Sequence, residues 1–261
     1  FSQIVVQTMR DEGVTFEEGS DATRISGSKG AIRVETKDGR VIEGSHLLMA
    51  VGRKPNIDRL DLDKAGVEAT KAGVKVDDAL RSTNRRVYAV GDVAGGLQFT
   101  HVAGYHAGVV IRSILFGLPS KAKTSHIPWV TYAAPELAQA GLTEAQAREE
   151  HGDKLEVVHF HYNENDRAIA ERQTKGLIKV MVVKGRPVGA SIVGHQAGEL
   201  ITLWSLALVN NMKMSQIAAM VAPYPTISEI NKRAAGAYFS PRLFESALVK
   251  TVVRLVQRLL P

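Results

Sequence analysis

The stretch Ser82-Thr83-Asn84-Arg85-Arg86-Val87-Tyr88-Ala89-Val90-Gly91-Asp92 decides how this chain is read. Its apolar run Val87–Val90 predicts a short buried strand, and the Gly-Asp pair marks the strand's carboxyl end. A carboxylate there accepts hydrogen bonds from a ligand hydroxyl, and a glycine lets backbone approach closely. The next helix, expected from about His101 to Phe116, would aim its first amides at a phosphate before Gly117-Leu118-Pro119 closes it. The plain alternative is a Gly-Asp turn after a buried strand, with no ligand.

Toward the N-terminus, Ile4, Val5 and Met9 stand at helical spacing and Gly13 supplies a stop. Val14 to Phe16 is expected as a short strand. Ala31 to Thr36 alternates, Asp38-Gly39 turns, and Val41-Ile42 returns, which predicts a hairpin. His46 to Val51 carries the run Leu47-Leu48-Met49-Ala50-Val51, the pattern of a strand buried on both faces. It ends at the polar break Gly52-Arg53-Lys54-Pro55-Asn56. To about residue 119 the chain therefore has parallel-sheet, α/β character. Beyond 120 the pattern changes. Leu155 to His161, Leu177 to Val183 and, after Lys184-Gly185-Arg186-Pro187, Val188 to Val193 read as an antiparallel meander. Helices over Glu199 to Val209, Ser215 to Met220 and from near Thr226 complete an α+β domain with helices on one face.

The composition is that of a globular protein, 44% hydrophobic and 23% charged over 261 residues. The net charge of +6 is spread along the sequence without aromatic interleaving, so no nucleic-acid partner is expected. Cysteine is absent, which excludes disulfides, thiolate nucleophiles and zinc–thiolate sites within this sequence and is compatible with a cytoplasmic address. His159 and His161 alternate on one strand, and His101 and His106 lie five apart. Neither spacing has a matching carboxylate, so no metal site is expected.

Four motifs in order carry a family resemblance. Thr83 to Asp92, with Ala89 in place, resembles the second flavin-binding motif of the two-dinucleotide-binding flavoproteins. Gly95-Gly96-Leu97-Gln98-Phe99-Thr100-His101-Val102-Ala103 resembles their flavin-contacting helix start. Ala50-Val51-Gly52-Arg53-Lys54-Pro55-Asn56 is similar to their A-x-G-R-x-P-N junction. Pro128 to Tyr132, with Ala134 to Ala138 and Gly141 to Glu144, resembles the entry to their dimerisation domain. The family is the pyridine nucleotide-disulfide oxidoreductases, which includes dihydrolipoamide dehydrogenase and mercuric reductase.

The resemblance implies FAD and NAD(P)H as cofactors and a homodimer as the assembly. It implies the tail of the NAD(P)-binding domain over 1–50, the end of the FAD-binding domain over 51–119, a dimerisation domain over 120–240 and a C-terminal helix over 241–261. Asp92, with Gly91, would hold the flavin's ribityl chain; Gln98, Phe99 and Thr100 would lie near its ring, with His101 close by; Gly52 would lie beside the nicotinamide nucleotide. The family's upstream G-x-G-x-x-G loops and C-x4-C pair do not occur here, so the chain is expected to be a C-terminal piece of a longer protein. Such a parent would pass hydride from NAD(P)H to flavin and on to a disulfide or other small acceptor. Two alternatives stand: a non-catalytic dimerisation module, or a parent acting as an oxidase or transhydrogenase without a redox disulfide.

Pro223-Tyr224-Pro225-Thr226-Ile227-Ser228-Glu229 resembles the family's H-P-T-x-S-E, with Tyr224 in the histidine's place. The catalytic reading puts Tyr224 and Glu229 at the partner's active site; the plain one makes Tyr224 a buried ring at a dimer interface. A tyrosine, with a pKa near 10, is a poor base at neutral pH, which argues against dihydrolipoamide as substrate. Mercuric reductases are similar in carrying tyrosine here, but their C-terminal cysteine pair is missing. The tail from Leu243 to Leu260 is a basic amphipathic helix. It reads either as packed on its own dimer with a solvated basic side or as a membrane-surface or partner helix.

Overall fold

The chain switches between helical and alternating periodicity. The computed structural model describes residues 1–259. Helix α1 (Ser2–Asp11) forms where expected and buries Val5. Val14 to Phe16 does not pair as a strand. The Val14 N–H returns to the Met9 carbonyl at 3.0 Å, and the Phe16 ring lies 5.6 Å from the Arg10 guanidinium, so the segment folds back on the helix.

Strands β1 (Ala22–Ser28), β2 (Ala31–Thr36) and β3 (Val41–Gly44) make an antiparallel sheet in that order. The β2–β3 hairpin is the expected one, with Val34 opposite Ile42. Its turn is fixed by Asp38, which accepts hydrogen bonds from the Thr36 and Ser20 hydroxyls. The Thr36 bond leads in holding this carboxyl below its usual range. Sequence reading missed β1 because Ala-Thr-Arg-Ile-Ser-Gly-Ser is polar and almost wholly exposed.

Two expected strands are corrected. His46 to Val51 pairs with nothing, and Leu48 and Val51 are 89% and 88% exposed. A strand hidden on both faces needs a neighbour at each edge and a layer on each side, and the described residues place none there. Val87 to Val90 makes a single antiparallel bridge, Tyr88 to Arg81. Among the described residues every strand pairing is antiparallel, so the parallel-sheet character expected before residue 120 is not realised. Instead the short β4 (Ala69–Thr70) and β5 (Gly73–Val74) pair beside a small core of Val67, Val74 and Ala89. A 3-10 turn over Gly91–Ala94 then leads to α2 (Thr100–Phe116). Gly117 ends α2 with φ +63°, and the Leu118 N–H reaches the Arg112 carbonyl, satisfying an otherwise orphaned acceptor.

The second half is built on one five-stranded antiparallel sheet. It comprises β6 (Trp129–Thr131), β7 (Glu136–Gly141), β8 (Leu155–His161), β9 (Leu177–Val183) and β10 (Arg186–Gly194), in the order β6-β7-β10-β9-β8. Lys184 and Gly185, both at positive φ, make the two-residue turn that suits right-twisted strands. Helix α3 (Glu144–His151) starts on a capping box between Thr143 and Gln146. The short α4 (Asp166–Ala170) is capped by Asn165. Helices α5 (Ala197–Val209), α6 (Met214–Ala218) and α7 (Glu229–Ala237) share one sheet face. There Ile178, Val180, Val182, Ala190 and Ile192 meet Ile201, Trp204 and Ile230. On the other face, Ala147 of α3 covers Leu155 and Met181. Helix α7 begins three residues later than expected because Thr226 and Ser228 are spent on a turn, the Thr226 hydroxyl donating to the Pro223 carbonyl.

The tail forms two helices rather than one, α8 (Ser240–Phe244) and α9 (Ala247–Leu259). Leu260, the last residue of the expected helix, lies outside the described residues. No helix among the described residues is long and apolar enough to cross a membrane.

Candidate functional site

Two groups of sequence-predicted residues are positioned by different elements. The first lies where the 3-10 turn meets α2. Gly91 sits at φ +67°, and a Cβ added to it would lie 2.8 Å from the Ala103 Cβ, so the glycine admits the helix itself to close approach. Its N–H donates to His106 Nδ1 at 3.2 Å. His106 is 5% exposed, and burial pushes its pKa below the ordinary histidine value, which keeps that nitrogen an acceptor. The turn so fixed leaves the Asp92 side chain about half exposed.

Arg53 ties this turn to the A-x-G-R-x-P-N junction. Its Nη1 donates to the Gln98 carbonyl at 2.6 Å and lies 3.9 Å from Asp92 Oδ2. Gly52, at φ +120° with open space around it, stands one residue before this arginine. Phe99 opens α2 without a side-chain cap; its carbonyl accepts from the Val102 and Ala103 amides, and the Thr100 and His101 amides have no intrahelical acceptor. The Phe99 ring stacks on His101, whose Nε2 meets the Pro128 carbonyl at 2.8 Å. Together Arg53, Gln98, Phe99, Thr100, His101 and Tyr132 rim an open hollow of about 520 Å³.

The second group lies at the start of α7. Tyr224 is 71% exposed, and its hydroxyl donates to Asp166 Oδ2 at 2.8 Å. That bond, reinforced by the negative charge on Asp166, raises the tyrosine pKa above its ordinary value; Glu229 adds a weaker push the same way. Glu229 itself is the first residue of α7, where the helix dipole favours its charge. Tyr224 and Glu229 make no hydrogen bond to each other. Asn165 locks the loop beneath them: its Nδ2 donates to the Thr226 carbonyl at 3.1 Å while its Oδ1 caps α4. Among the described residues no three His, Asp or Glu side chains are grouped to hold a metal.

Residues 1–107 match the family model described as pyridine nucleotide-disulphide oxidoreductase, and residues 127–235 match the one described as its dimerisation domain. The chain belongs to the pyridine nucleotide-disulphide oxidoreductase family. A mercuric reductase from Lysinibacillus sphaericus is 35% identical to it, over 90% of this chain and 44% of that protein. A dihydrolipoyl dehydrogenase from Bacillus subtilis (strain 168) is 30% identical, over 87% of this chain and 50% of that protein. Among solved structures, the HOCl-induced flavoprotein disulfide reductase RclA from Escherichia coli, as its Cu(II) complex, superposes with a TM-score of 0.82. Its identity is 27%, over 90% of this chain and 54% of that one. The chain thus spans half or less of the length of these two curated relatives. The five-stranded antiparallel sheet with its helices falls within the match to the dimerisation domain.

Arg53 and Asp166 are the functional candidates that sequence reading missed. Arg53 was legible, standing inside a quoted motif. Asp166 was not, because 58 residues separate it from Tyr224 and only the fold joins them.

Proposed function

We propose that this chain is the C-terminal portion of an FAD-dependent oxidoreductase of this family, working as a homodimer paired through residues 120–240. Residues 1–50 would complete its NAD(P)-binding domain and 51–119 its FAD-binding domain, with the tail that carries α8 and α9 appended after 240. The observation that carries the reading is Arg53, which donates to the Gln98 carbonyl at the start of α2 and stands 3.9 Å from the Asp92 carboxylate. These groups fit one wall of a flavin site, a half-exposed carboxylate for hydroxyls and free amides for an anion. The sequence contains no G-x-G, so the glycine-rich pyrophosphate cradles are not among its residues.

When bound, the flavin supplies hydride acceptance from NAD(P)H and electron delivery to a disulfide or other small acceptor. The chain's own residues position and protonate. Asp92 would accept hydrogen bonds from the ribityl hydroxyls, with Arg53 beside its carboxylate. Gln98, Phe99 and Thr100 would lie near the ring, and Gly52 would leave room for the nicotinamide nucleotide. Tyr224, as a phenol, keeps its proton at neutral pH, and Asp166 raises its pKa further. To donate toward the partner's acceptor site the hydroxyl would exchange Asp166 for that acceptor, with Glu229 adding negative charge there.

The test uses the complete parent protein. D92A is expected to lower the flavin bound per chain, read as visible absorbance against protein. Y224F is expected to leave the reductive half-reaction unchanged in stopped-flow and to slow only the oxidative half. Equal loss in both halves, or full flavin content in D92A, would overturn the assignment. Light scattering that finds a monomer at micromolar concentration would remove the dimer.

One observation favours the module reading for the chain taken alone: its large core closes entirely within the sheet domain. Purified chain that is colourless would support the module, and chain that is yellow would support flavin binding by these residues.

A further inference from the structure

Helix α9 leaves most of its apolar side bare, with Val249 and Val253 facing Leu243 and Phe244 of α8 across a hollow. The preceding helix α8 is fastened to the sheet domain. The Arg242 guanidinium ion-pairs with Glu156, donates to the Tyr238 carbonyl at 2.6 Å and lies 4.0 Å from the Tyr238 ring centroid. The chain then breaks at Glu245 and Ser246, and a separate helix opens at Ala247. At helical spacing Leu248, Val249, Val252, Val253, Leu255, Val256 and Leu259 cover an arc of about 160°. The remaining arc holds Ala247, Lys250, Thr251, Arg254, Gln257 and Arg258. None of the thirteen residues is buried, and none is acidic. Helix α5 has the same length and buries Ala197, Leu200, Ile201, Trp204 and Ala207.

A stripe this wide is unstable in water, and the polar arc identifies what covers it. A helix seated on another protein surface turns mixed charges to solvent. Here three cations stand at i, i+4 spacing with no anion among them. Residues 240–261 hold four basic side chains and one acidic, a net +3, half of the chain's +6. An apolar stripe bordered by unopposed cations complements a surface that is hydrocarbon below and negatively charged above.

We propose that α9 lies flat in the interface of an anionic phospholipid bilayer. Leu248, Val252, Leu255, Val256 and Leu259 enter the acyl boundary. Lys250, Arg254 and Arg258 reach up to the lipid phosphates along their own methylene stems. At about 20 Å the helix is too short to span a bilayer of about 30 Å. The break at Glu245–Ser246 separates it from the domain that α8 anchors.

Sedimentation with lipid vesicles tests this on the 261-residue chain. Binding is expected to vesicles of phosphatidylcholine mixed with phosphatidylglycerol, to fall with added salt, and to be absent with phosphatidylcholine alone. The triple variant K250Q/R254Q/R258Q is expected to bind about 100-fold more weakly. L255D is expected to abolish binding while the thermal transition of the sheet domain stays in place. Equal binding to both vesicle types, or to neither, would overturn the proposal. So would light scattering in which L255D alone converts a dimer to monomers, because the stripe would then be a seam between two copies.

Discussion

The region up to residue 119 and the domain after 126 resolve the same kind of apolar patterning in opposite ways. The later domain closes one continuous core in which Trp204, Tyr162, Ile178 and Met214 are fully buried. The earlier region divides its interior between two small clusters, Val67–Val74–Ala89 and Leu80–Val109–Val110. It leaves Leu48, Met49 and Val51 exposed, together with Ile114, Leu115 and Phe116. The difference lies in how far each strand must look for a partner. In the later domain β9 and β10 meet across a two-residue turn and β8 pairs with β9, the next strand in sequence, so local sequence carries most of the pattern. A strand meant for burial on both faces depends on elements distant in the chain.

The largest expected effect would break this contrast if it failed. W204A removes a fully buried indole and the donor that Asn231 Oδ1 accepts at 2.7 Å. It is expected to cost about 3–5 kcal/mol in urea unfolding followed by circular dichroism. V109A in the smaller cluster is expected to cost about 1.6 kcal/mol, the transfer of two methylenes. Equal losses would mean that the two regions are equally consolidated.

A smaller effect sharpens the description of the first region. His106 has its pKa lowered by burial. Between that lowered value and the ordinary value near 6.5, the unfolded chain binds the proton more readily. Its contribution is therefore complete above pH 6.5 and lost as the pH falls toward the folded-state value. Melting curves are expected to fall more steeply below pH 6.5 for the natural chain than for H106Q, which does not titrate. Parallel slopes would contradict the buried neutral ring.

The smallest effect is local to the second region. D166N removes the charge and weakens the bond that raises Tyr224. Ultraviolet difference titration is expected to show one tyrosine ionising at lower pH in the variant, with stability nearly unchanged at this exposed site. An unshifted titration would show that Asp166 does not hold the hydroxyl in solution.

How much of this was legible depended on locality. The β2–β3 hairpin, helices α1, α2 and α5 and the β8–β9–β10 meander follow from turn residues and periodicity over a few neighbours. β1 was hidden by its polar sequence, and the small residues of β7 carry no alternation to read. His46–Val51 was misread because an apolar run reports the need for burial, not its fulfilment. At the site, Asp92 and the segment Gln98–Thr100 were found from motif spacing, and the fold supplied Arg53 between them. The Tyr224–Asp166 bond joins two loops that only the closed sheet brings together.

The protein has two tryptophans, and both belong to the later domain: Trp204 in its centre and Trp129 on the edge strand β6. Its tryptophan emission therefore originates wholly in the later domain, with Trp129 beside Gly96 and Leu97 as the one reporter that touches the earlier region. Trp204 will emit at short wavelength from a dry environment, and Trp129 at longer wavelength from the partly wetted sheet edge. An unfolding curve followed by tryptophan emission alone would be dominated by the melting of the sheet domain and would register the region before residue 120 only through Trp129.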